Sequence, residues 1–181
     1  MQADLDGDDA PDTVYTVQGA VGWTVVADLA DGDRVMVELV GVDRRSFARV
    51  LGGADIMGEG TDDLVVVTSV GAYTEQIGFV RLADCELFEL AFDDSSPARF
   101  LTGASISNGE ALVCPGDGTL ERYFFSLIPG SDDDGEPEFD GGFEPFRIEG
   151  NVVTGYPGDG ASLTLDDVAA ITLFDCLDLE L

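Results

Sequence analysis

Apolar and β-branched residues occur along this chain in short runs, separated by turns that are rich in Gly and Asp. Three such runs open the chain: Thr13–Val17, Trp23–Asp28 and Arg34–Val40. Each has the length of a single strand, and the Asp31-Gly32 turn before the third run favours a hairpin. Helical periodicity is absent except at residues 166–170, where one helical turn is plausible. The pattern therefore predicts an all-β protein.

The pattern of runs and turns repeats along the chain. A second set of predicted strands is Leu64–Val70, Gln76–Leu82 and Glu86–Phe92. A third set is Leu120–Ile128, a hairpin of Phe143–Ile148 and Val152–Tyr156, and two short strands, Ile171–Phe174 and Leu177–Leu181. We divide the single array into repeat 1 (residues 1–50), repeat 2 (51–110) and a degenerate repeat 3 (111–181), whose acidic insertion at 131–142 is predicted to be a surface loop. A period of about 50 residues with about four strands per unit is typical of propeller blades.

An acidic loop precedes the first long strand of each repeat. In repeat 1 it places Asp4, Asp6, Asp8 and Asp12 within one tight turn. Four clustered carboxylates repel one another unless a cation neutralises them, and Ca²⁺ takes six to eight oxygens from such turns. We therefore predict a Ca²⁺ site here.

The other two loops retain fewer carboxylates. In repeat 2 the candidate ligands are Asp55, Glu59, Thr61 and Asp63, while Met57 stands where repeat 1 has Asp6. We expect a weaker metal site there. The third loop keeps only Asp117 and Glu121, and we expect it to bind no metal.

Composition narrows the function classes. Asp and Glu number 37 against eight basic residues, a formal net charge of −29, and all eight basic residues are Arg. Without His or Lys the chain lacks the usual histidine bases and ligands, Schiff-base lysines and a P-loop lysine. Such acidity disfavours nucleic acid and anionic membranes as partners. No apolar run reaches about 18 residues, so no transmembrane segment is predicted.

The cysteines and the acidic loops together favour a secreted or cell-surface protein. Cys85, Cys114 and Cys176 are the three cysteines, and none lies in a CxxC pair. A disulfide is then more plausible than a redox site. The N-terminal residues carry no signal-peptide core, so we expect a mature form of the chain.

The loop sequence DxDGDxxxD, entering a strand and repeated at blade spacing, resembles the FG-GAP/VCBS repeats of integrin-α-type β-propellers. The segment AYTEQIGFVRLADCELFEL and the position of Cys114 are also similar to secreted actinobacterial repeat proteins of unknown function. The resemblance implies Ca²⁺ held by Asp4, Asp6, Asp8 and Asp12, with the Ala10 carbonyl as a fifth contact. It also implies positive φ at Asp9, where Gly is usual. Since closed propellers have about four to eight blades, three repeats imply an open or incomplete propeller, with a β-sandwich as the alternative.

Blade topology suggests a disulfide. In a blade, the hairpin between the second and third strands points to the same end as the inter-blade loop. Cys85 lies at that hairpin in repeat 2, and Cys114 lies just before the third loop. We therefore favour a Cys85–Cys114 bond, with Cys114–Cys176 as the alternative.

These features predict a calcium-stabilised structural, adhesion or assembly module without catalysis. Its expected partners are other protein chains, or further copies joined through β edges, and carbohydrate is a weaker candidate. The alternative function is a carbohydrate-active or other hydrolase that uses Asp/Glu or a metal-bound water. Such an enzyme needs a carboxylate pair in a concave pocket or a metal with an open position. A halophilic source is a further explanation of the acidity.

Overall fold

The computed structural model describes residues 1–105, 107–129, 137–164 and 174–176. Within these ranges the regular structure is β-strand without any helix, which confirms the all-β prediction. The sixteen strands are β1 (Gln2–Ala3), β2 (Asp12–Gln18), β3 (Gly22–Asp28), β4 (Arg34–Asp43), β5 (Arg49–Ala54), β6 (Asp63–Val70), β7 (Thr74–Ala83), β8 (Glu86–Glu89), β9 (Ala91–Phe92), β10 (Arg99–Ala104), β11 (Asn108–Val113), β12 (Thr119–Leu127), β13 (Glu138–Glu149), β14 (Val152–Gly155), β15 (Gly160–Thr164) and β16 (Phe174–Asp175). The predicted helical turn at 166–170, the strand at 177–181 and most of the strand at 171–174 lie outside the described residues.

Three antiparallel meanders of four strands form the frame. Meander 1 is β1–β4, meander 2 is β5–β8 and meander 3 is β11–β14, and in each of them consecutive strands pair. Meander 1 is a separate sheet, whereas β10 pairs with both β7 and β11 and joins the other two. The described strands do not close into a barrel or a propeller ring. What the structure shows is therefore a set of multiple antiparallel sheets.

The core lies on both faces of meander 2. Successive side chains of a strand point to opposite faces. On β6, Leu64 and Val66 accordingly pack with meander 1 residues such as Val25, whereas Val65 and Val67 pack with β12, β13 and β14. Because both faces of β6 are buried, its sequence contains an uninterrupted apolar run and not an alternation of apolar and polar residues. Meander 2 is the middle layer of the stack.

Several strands differ from the prediction. The sequence did not predict β1, β5, β10, β11 and β15, and the single run Glu86–Phe92 divides into β8 and β9. β13 begins at Glu138, so the predicted surface loop at 131–142 is wrong for its last five residues, while 130–136 lie outside the described residues. The reason is Phe139, which is buried and pairs with Leu127 on one side and Leu163 on the other.

Across the described ranges, no helix combines the length and the apolar character needed to cross a bilayer.

Candidate metal-binding loops

The three acidic loops lie side by side at one end of the stack. Loop 1 (residues 4–11) joins β1 to β2, loop 2 (55–62) joins β5 to β6, and loop 3 (114–118) joins β11 to β12. Backbone hydrogen bonds connect them in series: Asp62 N–H donates to the Asp4 carbonyl (2.7 Å), and Gly118 N–H donates to the Ile56 carbonyl (2.9 Å). Asp4 N–H also donates to Asp62 Oδ2 (2.9 Å). A change of shape in one loop therefore acts directly on the next.

Gly58 is required where loop 2 meets loop 3. It has a φ of +69°, and a Cβ built at this position would lie 2.5 Å from the Gly116 carbonyl oxygen. A residue with a Cβ would destabilise the fold here, both because of the positive φ and because of the clash. The loops consequently pack more closely here than side chains would allow.

Loop 1 brings three of its predicted ligands together. One carboxylate oxygen from each of Asp4, Asp6 and Asp8 lies within 4.8 Å of the others, and this is the one such group among the described residues. Desolvation and the neighbouring carboxylates, with Asp8 first among them, raise the pKa of Asp6. These oxygens are hard donors of the type that Ca²⁺ prefers. The residues present therefore fit the cation that the sequence predicts.

Turn hydrogen bonds hold the loop 1 carboxylates in place. Asp4 accepts from the N–H groups of Gly7 (2.9 Å) and Asp9 (3.1 Å), and Asp8 accepts from Ala10 N–H (2.8 Å). Asp9 has a φ of +63°, which confirms the expected positive φ at this position. The backbone of loop 1 thus holds these carboxylates in the kind of turn that supplies metal ligands.

Asp12 has a different environment from the other three acids. It is fully buried, and its carboxylate accepts hydrogen bonds from Leu5 N–H and Ala30 N–H, both 2.9 Å. Asp12 therefore fastens loop 1 to the start of β2 and to the β3–β4 turn. Each oxygen keeps a second lone pair, so this role and metal binding are compatible.

Loop 2 repeats the turn of loop 1. Asp55 accepts from the N–H groups of Glu59 (2.9 Å) and Gly60 (2.8 Å), as Asp4 does from its own turn. The Thr61 methyl group faces loop 1, where a Cβ added to Gly7 would lie 3.1 Å from it. The three acids of this loop do not converge as those of loop 1 do.

A guanidinium group lies among the acids of loop 2. Arg81 Nε is 3.1 Å from Asp63 Oδ1, its Nη2 is 3.3 Å from Glu59 Oε2, and its Nη1 donates to the Gly150 carbonyl (3.2 Å). The Arg81 side chain is 11% exposed and that of Asp63 is 3% exposed. Burial raises the pKa of Asp63 to about 6, against the opposing effect of Arg81.

Sequence reasoning missed Arg81. Its position follows that of Ala30 by the fifty-one residues that separate the two loops, so alignment of the repeats would place it beside Asp63. A single charged residue in the otherwise apolar stretch of β7 was the available signal, because buried Arg is rare without a partner.

The acids of loop 3 are engaged within the protein. Asp117 accepts from Thr119 N–H (3.1 Å). Glu121 lies on β12 and accepts from the Tyr123 hydroxyl (2.7 Å), a bond that raises the Tyr123 pKa to about 12. Asp117 and Glu121 therefore serve as local partners for these two residues.

The disulfide joins Cys114 to Cys176, so the favoured Cys85–Cys114 pairing is wrong and the alternative is the one found. Cys85 is an exposed free thiol in the β7–β8 turn. That turn borders meander 1, whereas Cys114 is beside β16, which runs parallel to β11. Both cysteines lie at the loop end, as inferred, but Cys85 faces meander 1 whereas Cys114 lies on the other side of meander 2.

A cleft of about 640 Å³ opens between meanders 1 and 2, beside loops 1 and 2. Its apolar floor includes Leu29, Val35 and Leu82, and its polar lining is Asp6, Asp31, Asp33, Arg34, Glu59, Thr61 and Asp84. Five of those seven side chains are acidic, so the cleft favours cationic groups.

In comparisons with known proteins, no family model, no curated protein and no solved structure matches this chain.

Proposed function

We propose that this protein is a secreted, calcium-stabilised β-repeat module that serves a structural, adhesion or assembly role. The observation that carries the proposal is the convergence of Asp4, Asp6 and Asp8 within 4.8 Å in a loop that precedes a strand. Such a loop resembles the FG-GAP/VCBS type. The Cys114–Cys176 disulfide fits an extracellular setting.

The position of loop 1 favours a structural role for the ion. Loop 1 is bonded to loop 2 through Asp62, and loop 2 to loop 3 through Ile56. A Ca²⁺ ion in loop 1 would remove the repulsion among its acids and stiffen the end of all three meanders. An ion that binds only the folded chain stabilises it by about 2.7 kcal/mol at 100-fold excess over Kd.

Catalysis is not part of this proposal. A general acid needs a raised pKa and access to substrate. Asp63 has the raised pKa, but its side chain is 3% exposed and is ion-paired to Arg81. The site resembles a structural ion pair more than an acid–base pair.

The proposed binding site is the cleft between meanders 1 and 2. Its acids would attract a basic segment of another protein chain, and its apolar floor would contact the aliphatic stems of Arg or Lys side chains. Assembly through β edges is less favoured at β4. There Val40 already gives its N–H to Glu89 and receives a hydrogen bond from Arg99 at its carbonyl.

Thermal unfolding in EDTA and in about 1–2 mM Ca²⁺, at matched ionic strength, tests the metal claim. We expect Ca²⁺ to raise Tm of the native chain and to leave Tm of the Asp6→Asn/Asp8→Asn variant unchanged. An Asp31→Asn/Asp33→Asn variant is the matched control, because it removes two acids of the same cleft and should keep the Ca²⁺ response. Equal midpoints of the native chain in the two buffers would refute the proposal.

A further inference from the structure

We propose that Arg81 is the built-in counter-ion of loop 2, so that its guanidinium group takes the place of a metal ion there. The inference builds on the proposed function, since it assigns different means of charge neutralisation to two loops that share one sequence pattern. Loop 1 would depend on Ca²⁺, and loop 2 would not.

The contacts of Arg81 are those expected of a neutralising cation. Its guanidinium group reaches Asp63 at 3.1 Å and Glu59 at 3.3 Å, so it bridges two of the four candidate ligands of loop 2. It is 11% exposed, and Asp63 is 3% exposed, so water screens the first of these pairs poorly. Its third contact, the Gly150 carbonyl, lies in the β13–β14 turn and links loop 2 to meander 3.

Comparison of the two loops shows what Arg81 replaces. In loop 1 the buried Asp12 is satisfied by the backbone N–H groups of Leu5 and Ala30. In loop 2 the residue matching Leu5 is Ile56, whose N–H donates instead to the Ala54 carbonyl (2.9 Å). The residue matching Ala30 is Arg81 itself. The buried Asp63 therefore depends on a side-chain cation, and its Oδ2 has no hydrogen-bond partner among the described residues.

A divalent ion does not fit loop 2 in this arrangement. A metal bound by Asp63 and Glu59 would lie against a positive charge that already contacts both carboxylates, and the two cations would repel one another. Met57 contributes no hard oxygen where loop 1 has Asp6. The loop 2 carboxylates also fail to converge within the distance seen in loop 1.

Removal of the charge is the first test. Arg81→Met keeps much of the side-chain volume but leaves Asp63 and Glu59 unneutralised. In EDTA we expect its Tm to fall by roughly 10 °C, because loss of one member of a buried pair is strongly destabilising. Arg34→Met is the matched control: the Arg34–Asp28 pair is exposed, 59% and 37%, and its loss should move Tm by less than about 2 °C. Equal shifts in the two variants would overturn the proposal.

Counting bound Ca²⁺ by equilibrium dialysis is the second test, and it remains decisive if Arg81→Met does not fold. We expect the Asp6→Asn/Asp8→Asn variant, with Arg81 intact, to bind no Ca²⁺. One ion retained there and lost on further Asp55→Asn/Glu59→Gln substitution would show that loop 2 takes metal despite Arg81. If instead the native chain binds no Ca²⁺, the loop 1 claim fails, while the comparison of Arg81→Met with Arg34→Met in EDTA still tests Arg81.

Discussion

At the level of single residues, arginine side chains of this acidic protein join strands by bonding to carboxylate and carbonyl groups. Arg81 bridges Asp63 and Glu59, Arg122 bridges Glu110 and Glu144, and Arg99 binds Glu89 together with the Val40 carbonyl. The planar fork of a guanidinium group suits such paired contacts better than the point charge of Lys. In a chain with no Lys, these few cations lie where they join strands.

The titration of Asp63 should be visible in stability. Burial raises its folded pKa to about 6, whereas the unfolded pKa is about 3.9. The folded chain thus binds this proton more tightly, so the contribution of Asp63 to stability is greatest below pH 4 and is lost as the pH rises through 6. Asp63→Asn removes the titration. We expect the stability of the variant relative to native protein to increase by about 2 kcal/mol between pH 4 and pH 7, measured by urea unfolding. A difference that does not vary with pH would contradict this.

Residue-level prediction from the sequence succeeded where local chemistry determines the outcome. The convergence of Asp4, Asp6 and Asp8 follows from one tight turn, and the positive φ at Asp9 was implied by the resemblance of that turn to a known loop. The partners of Asp12 and Asp63 could not be inferred in the same way. They come from the β3–β4 turn and from β7, which the fold brings near from about 18 positions along the chain.

At the level of elements, β-branched runs between Gly and Asp turns predicted most of the long strands. β5 and β10 were not predicted because their sequences, RVLGGA and RFLTGA, contain glycines, which usually weaken strands. Both are stabilised by tertiary pairing, β5 with β6 and β10 with β7. The hydrophobic pattern alone does not contain that information.

The disulfide is an element-level constraint whose removal has a calculable cost. Cys114 and Cys176 are 62 residues apart and tie β16 to the end of β11. In the chain-entropy model, a loop of this size contributes about 4 kcal/mol to the free energy of unfolding. We expect Cys176→Ser to lose about that amount in urea unfolding under non-reducing conditions.

Cys85→Ser is the matched control for that experiment, since Cys85 is exposed and unpaired. It should change stability by less than about 0.5 kcal/mol. The native chain should also present one reactive thiol to a thiol reagent before denaturation. Two or three reactive thiols, or equal losses in the two variants, would contradict the pairing.

At the level of the whole molecule, the stack depends on contacts between meanders. Alternating side chains of β6 contribute to two cores, so meander 2 is stabilised by both neighbours. The sequence predicted repeated all-β units, whereas their arrangement as an open or incomplete propeller was only implied by the resemblance. Ring closure and face-to-face stacking place the same apolar residues inside, so the pattern of apolar positions is similar for both.

One buried ion pair joins meander 1 to the rest of the molecule. Glu89 and Arg99, 6% and 12% exposed, bond to one another and to the N–H and carbonyl groups of Val40 on β4. Glu89→Gln should cost about 3–5 kcal/mol, since it leaves Arg99 buried without a counter-charge. Hydrogen exchange at the Val40 amide should become faster. Arg49→Met is the control, because the Arg49–Glu75 pair is exposed and its atoms are 3.5 Å apart. Equal costs for the two variants would argue against this joint.

The same contact has a consequence for biosynthesis. β4 leaves the ribosome about fifty residues before Glu89 and about sixty before Arg99, the two groups that cover its Val40 backbone. During that interval a nascent chain presents an open strand edge to its neighbours, and such edges recruit other unfinished chains. Slow translation between β4 and β10 would lengthen this exposure, so the protein is most vulnerable to co-aggregation before its second half has been made.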